Sequence, residues 1–150
     1  MKFRKADQND IEQLAMFRRL QLRDEGLTPD PDASSLKDFA GFIREKMESG
    51  ELVEWVAEED GKIIATAAVL FMEFPPVFND PTGMRGYITN MYTADEYRGQ
   101  GIAGKLLKIM DDEARARGVT RMTLHASVLG KKAYAKSGYK ETDLLMEKYI

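Results

Sequence analysis

Cysteine is absent from this 150-residue chain, and histidine occurs once. The first absence excludes disulfides, thiolate nucleophiles and thiolate-bound zinc. The second argues against a histidine-rich metal centre, so no metal is expected. An excess of positive charge is also missing. Lys and Arg total 22 against 25 Asp and Glu, a net charge of −3, which argues against a nucleic-acid-binding surface. No apolar run is long enough to cross a bilayer as a helix; the longest, "IIATAAVLFM" (63–72), is about half the required length. The opening "MKFRKADQND" lacks the apolar stretch of a secretory signal. These absences together predict a cytoplasmic protein with neither a membrane nor a nucleic acid as partner. Internal repeats, low-complexity tracts and linkers are missing too.

What is present reads as one globular domain over 1–150, with 43% hydrophobic and 31% charged residues. "KFRKA" (2–6) alternates as a first strand, and the polar cluster Asp7 to Asp10 is placed to cap a helix running to about Glu25. A proline-containing loop (26–35) leads to a second helix, with Leu36, Phe39, Ala40, Ile43 and Met47 on one face. "ELVEWVAEE" (51–59) and "KIIATAAVLFMEF" (62–74) alternate as strands around Asp60-Gly61, a strong hairpin signal. After the loop 75–84, with Phe74 and Phe78 beside it, "RGYITNMYTADE" (85–96) is a further strand. A helix with Ala103, Leu106, Leu107, Met110 and Ala114 on one face closes at Gly118. A strand (119–127), a short helix (129–140) and a final strand (140–150) complete the order β-α-α-β-β-β-α-β-α-β. Hairpin strands followed by strands alternating with helices indicate a mixed sheet covered by helices, an α/β or α+β sandwich.

The chemistry concentrates in "EYRGQGIAGKLLKIM" (96–110), a glycine-rich turn opening straight into a helix. The first N–H groups of a helix have no partner within it, and its dipole is positive there. Glycines let an anion approach the backbone closely. A P-loop does not fit, because Leu106 follows Gly104-Lys105 where Ser or Thr is needed. Gly99, Gly101 and Gly104 spell G-x-G-x-x-G, yet the acidic residue of a dinucleotide site about 20 positions on is missing; Thr123, Leu124 and His125 stand there.

The third reading is coenzyme A. Arg98-Gly99-Gln100-Gly101-Ile102-Ala103 matches [Q/R]-x-x-G-x-[G/A], the signature of the GNAT superfamily of acyl-CoA-dependent N-acetyltransferases. It follows the strand "ITNMYTADEY", and "AYAKSGY" (133–139) resembles that family's Y-x-x-x-G-[F/Y] segment. The chain resembles the family from residue 2 to 150, most strongly over 85–140. The resemblance implies a mostly antiparallel mixed sheet of six or seven strands flanked by about four helices, with acetyl-CoA as cosubstrate and a small-molecule or peptide amine as acceptor. Homodimers are common in such proteins. It also implies roles. The amides of Arg98, Gly99, Gln100, Gly101, Ile102, Ala103 and Gly104 would bind the pyrophosphate. The backbone of Met91, Tyr92 and Thr93 would pair with the pantetheine arm and polarise the thioester carbonyl. Tyr134 would protonate the departing thiolate. Ser127 stands where many members carry an asparagine that contacts the pantetheine. His125, Glu73, Asp95, Glu96 or a water chain could accept the amine proton; residue type alone does not choose among them. Two other readings stay open: a non-catalytic acyl-CoA sensor on the same fold, and a nucleotide-binding module built on the three glycines.

Overall fold

Three alternating runs build the centre of the molecule. In the computed structural model, which describes residues 1–27, 34–142 and 146–150, these runs are β2 (Leu52–Glu59), β3 (Lys62–Glu73) and β4 (Met84–Thr93). The β2–β3 turn is Asp60-Gly61, both at positive φ, the backbone that a tight two-residue hairpin requires. β1 (Lys2–Lys5) pairs with β2, and β5 (Arg121–Thr123) pairs with β4. The sheet order is β1-β2-β3-β4-β5, antiparallel throughout except for the parallel β4–β5 pair.

Helices cover both faces. α1 (Ile11–Asp24) and α2 (Ser34–Glu48) set Ile11, Leu14, Phe17 and Ile43 against Leu52, Val56, Ala68 and Tyr92. α3 (Ile102–Ala116) sets Leu106, Leu107, Met110 and Ala114 against Ala65, Ala67, Val69, Phe71 and Ile88 on the opposite face. Adjacent residues of β3 thus feed different cores, as the period of two requires. α3 ends with Gly118 at φ 70° and Val119 N–H bonded to the Ala114 carbonyl, a glycine-dependent helix stop. A short α4 (Lys131–Lys136) follows β5.

Several expectations need correction. Among the described residues five strands are present, rather than the expected six or seven. Among the described residues of 140–150 there is no strand, and Met146, Tyr149 and Ile150 are exposed; residues 143–145 lie outside the description, as do 28–33 of the first loop. β5 covers three residues rather than nine, because its pairing with β4 stops at Tyr87↔Thr123. Asp10 precedes α1 but does not cap it with its side chain. Arg4 binds that carboxylate at 2.7 and 3.0 Å and holds it below the usual aspartate range. The loop before β4 is a closed hairpin: Phe74 N–H bonds to the Gly83 carbonyl at 2.8 Å, and Arg85 stacks on Phe74, leaving Phe78 fully exposed.

Candidate functional site

The parallel pair β4–β5 shares only three paired positions before the strands part. A groove of about 630 Å³ lies beyond that point, lined by β4, the glycine turn and α4. Every residue singled out for cofactor binding or acid catalysis lines it except Gln100, whose side chain turns back to the Glu96 carbonyl. Met91, Tyr92 and Thr93 form one wall, Arg98 to Gly104 one end, and Ser127 and Tyr134 the other wall.

At the turn, a 3-10 segment (Asp95–Tyr97) precedes Gly99 and Gly101, both at φ 78°. This left-handed backbone costs a residue with a Cβ about 1–2 kcal/mol. Gly101 occupies the N-cap of α3 with no side chain available to satisfy the first-turn N–H groups. A Cβ added at Gly99, Gly101 or Gly104 would meet nothing within 4 Å. The glycines therefore keep open a space that the protein itself does not fill, beside unpartnered donors. That arrangement suits a pyrophosphate. Arg98 does not aim its charge into this space. Its guanidinium binds Asp24 at the end of α1 at 2.6 Å, Asp95 at 2.9 Å and the Thr93 carbonyl at 2.9 Å. Burial pushes the Asp24 carboxyl up, but the bonds from Arg98 and Arg23 outweigh it and hold the group below its ordinary range.

β4 carries a bulge where it enters the groove. Thr66 pairs with Tyr92 and Ala68 with Thr89, so two residues of β4, Asn90 and Met91, oppose Ala67 alone. Asn90 takes the extra turn at φ 51°. Its amide donates to Glu54 at 3.2 Å, and the Thr66 hydroxyl donates to the other Glu54 oxygen at 2.7 Å. Glu54 is 1% exposed, and desolvation pushes its carboxyl up to about 7 despite those two bonds. A buried acid on β2 thus reaches past β3 to fix the bend in β4. The pattern of "LVEWV" held a sign of it, since Leu52, Glu54 and Val56 share one strand face. Nothing local pointed to Asn90 as its partner.

Tyr134 is 8% exposed. Desolvation, with the nearby Glu25 and Tyr87, pushes its phenol up to about 12, so it holds its proton at neutral pH. Gly130, one helical turn earlier, makes room for the ring: a Cβ there would approach Tyr134 Cε2 to 2.5 Å. Tyr139 packs on Tyr134 edge to face, 6.1 Å between centroids. The candidate proton acceptors separate in space. Asp95 is paired with Arg98, and Glu96 is exposed. Glu73 pairs with Met84, seven residues along β3 from Thr66, roughly 20 Å from the bulge at strand spacing. His125 stands at the mouth of the parting strands, where its Nδ1 lies 2.7 Å from the Tyr87 hydroxyl. Among the described residues no group of His and acidic side chains could hold a metal, and no helix is long and apolar enough to cross a membrane.

The profile of the Acetyltransferase (GNAT) family matches residues 14–139. The uncharacterized N-acetyltransferase YhfO of Bacillus subtilis is 31% identical over 113 residues, which cover 73% of this chain and 72% of that protein. A predicted acetyltransferase of Clostridium acetobutylicum, crystallised with acetyl-CoA, is 43% identical with a TM-score of 0.93, covering 99% of this chain and 95% of that one. Glucosamine-6-phosphate N-acetyltransferase of Arabidopsis thaliana superposes with a TM-score of 0.74 at 25% identity, over 99% and 97% of the two chains.

Proposed function

The chain belongs to the Acetyltransferase (GNAT) family, and from that membership we propose that it moves an acetyl group from acetyl-CoA to a primary amine by direct attack. The observation that carries this reading is the groove itself. One continuous cleft joins a glycine-opened helix start, a bulged strand and a buried neutral phenol.

The residues fit the cosubstrate. The α3 N-terminus and the open space over Gly99, Gly101 and Gly104 suit a pyrophosphate. The backbone of Met91, Tyr92 and Thr93 borders the gap left by β5 and can pair with the pantetheine amides as an added strand would. When bound there, acetyl-CoA supplies an activated acyl group in a thioester. The bulge at Asn90 and Met91 interrupts the β3–β4 pairing where β4 borders the groove, and a backbone N–H left free there would stabilise the negative charge that develops on the carbonyl oxygen as the amine attacks. Tyr134, protonated and buried, gives its proton to the sulfur as the C–S bond breaks. No acyl-enzyme is required, and the chain has no cysteine to form one. Ser127 closes the turn before α4, its hydroxyl accepting from Gly130 N–H at 3.1 Å, and so helps set the wall that carries Tyr134.

The test is calorimetric binding of acetyl-CoA, CoA, NAD and ATP, followed by an amine screen read as thiol release. Micromolar binding of acetyl-CoA with amine-dependent thiol release is the expected result. Binding without release for any amine would make the protein a sensor. Preference for NAD or ATP would overturn the reading.

A further inference from the structure

Two side chains meet across the opening where β4 and β5 separate. Tyr87 is the last β4 residue paired with β5, and His125 comes two residues after the last paired residue of β5. The phenol oxygen is 2.7 Å from Nδ1, and the rings stand edge to face at 5.6 Å. Tyr87 is half-buried while His125 is exposed. From α1, Arg18 and Glu25 act on the Tyr87 phenol with opposite sign, and from α4 Tyr134 is its electrostatic neighbour. The pair therefore stands at the parting of the strands from which the groove opens, His125 two residues before the groove-lining Ser127, with one partner half-buried and the other facing water.

We propose that Tyr87 and His125 form the proton relay that deprotonates the attacking amine; this rests on the acetyltransferase reading above. The amine enters as an ammonium; one of its protons passes to the Tyr87 oxygen while the Tyr87 proton passes to His125 Nδ1, and the freed lone pair then bonds to the acyl carbon. The C–S bond breaks and the sulfur takes the Tyr134 proton. His125 then gives the ammonium's proton to water, and Tyr134 regains its proton from the nitrogen of the new amide, so the enzyme is restored and one proton is released for each ammonium acetylated. Burial raises the Tyr87 phenol above the ordinary tyrosine range. It is thus a neutral conduit rather than a phenolate, and the imidazole is the terminal acceptor. With Tyr87 donating, the resting imidazole carries its proton on Nε2.

The experiment uses two amines of nearly equal size, ethylamine and 2,2,2-trifluoroethylamine. At neutral pH the first is almost wholly ammonium and the second is mostly neutral. In His125→Gln and Tyr87→Phe, thiol release with ethylamine should fall about 100-fold. With trifluoroethylamine the loss should be several-fold smaller, and acetyl-CoA affinity should stay within twofold. Equal losses for both amines would mark the pair as structural and overturn the relay, as would no loss for either. A second readout needs no acceptor. The chain has one histidine, so its imidazole ¹⁵N signals are unambiguous. They should show Nδ1 unprotonated in the parent and altered in Tyr87→Phe; a proton resident on Nδ1 would overturn the relay. Failure of the underlying reading looks different: the parent protein would not bind acetyl-CoA.

Discussion

Tyr134 and Glu54 are both buried groups whose acid forms are favoured by desolvation, Tyr134 being the proposed acid and Glu54 the anchor of the bulge. Tyr134→Phe keeps the ring that packs on Tyr139 and fills the space over Gly130, and removes only the acid. Turnover should drop by about 10² to 10⁴, with acetyl-CoA affinity within twofold by calorimetry. Unchanged turnover would assign the sulfur's proton to another donor. Glu54 has a folded pKa raised from 4.5 to about 7. A group raised in this way contributes its full stability below its unfolded pKa and loses it as pH rises through the folded value. Each tenfold difference in proton affinity between the folded and unfolded chain is worth about 1.4 kcal/mol. The parent should therefore weaken between about pH 5 and pH 8 by about 2–3 kcal/mol relative to Glu54→Gln. Gln can still accept from Thr66, and Asn90 can rotate its amide to meet the new NH₂ group. Urea midpoints of the two proteins at both pH values measure the difference; a gap that does not change with pH would show that Glu54 is already ionised in the fold.

α3 shows an element serving two masters. Gly104 lies in its first turn, and a Cβ there would meet nothing within the protein. Gly104→Ala should therefore raise helix stability by about 0.5–1 kcal/mol while weakening acetyl-CoA about tenfold, because the methyl enters the space kept for the anion. Thermal unfolding and calorimetry on one variant should move in opposite directions; tight binding in Gly104→Ala would place the pyrophosphate elsewhere. This element was the most legible in the sequence, since its buried face and both of its ends are local features. The tail at 140–150 was the least legible, because alternation reports a face and never a neighbour. The bulge was equally hidden. Asn90 bends because Glu54, thirty-six residues earlier, holds its amide, and no short window of sequence contains both. The Tyr87–His125 pair was hidden for the same reason, its members being thirty-eight residues apart.

At the scale of the whole molecule, the two helical layers divide the work. α3 and the turn before it lie on one face, while α1 and α2 lie on the other. The Asp24–Arg98 ion pair ties the end of α1 to the glycine turn across that division. Element order and the family resemblance anticipated a mixed sheet flanked by helices, but not the five-strand count, the short β5 or the absence of a strand among the described residues of 140–150. The parting of β4 from β5 leaves the sheet one member short along the groove. Under the proposed function a bound cosubstrate would fill this gap, so cosubstrate supply would become a determinant of how much folded protein persists. Ligand that binds only the native chain adds RT ln(1 + [L]/Kd) to its stability, about 2.7 kcal/mol at one hundred times Kd. Under the proposed function, melting curves in the presence of acetyl-CoA should rise accordingly, and the unliganded protein should be the form that proteases clear first.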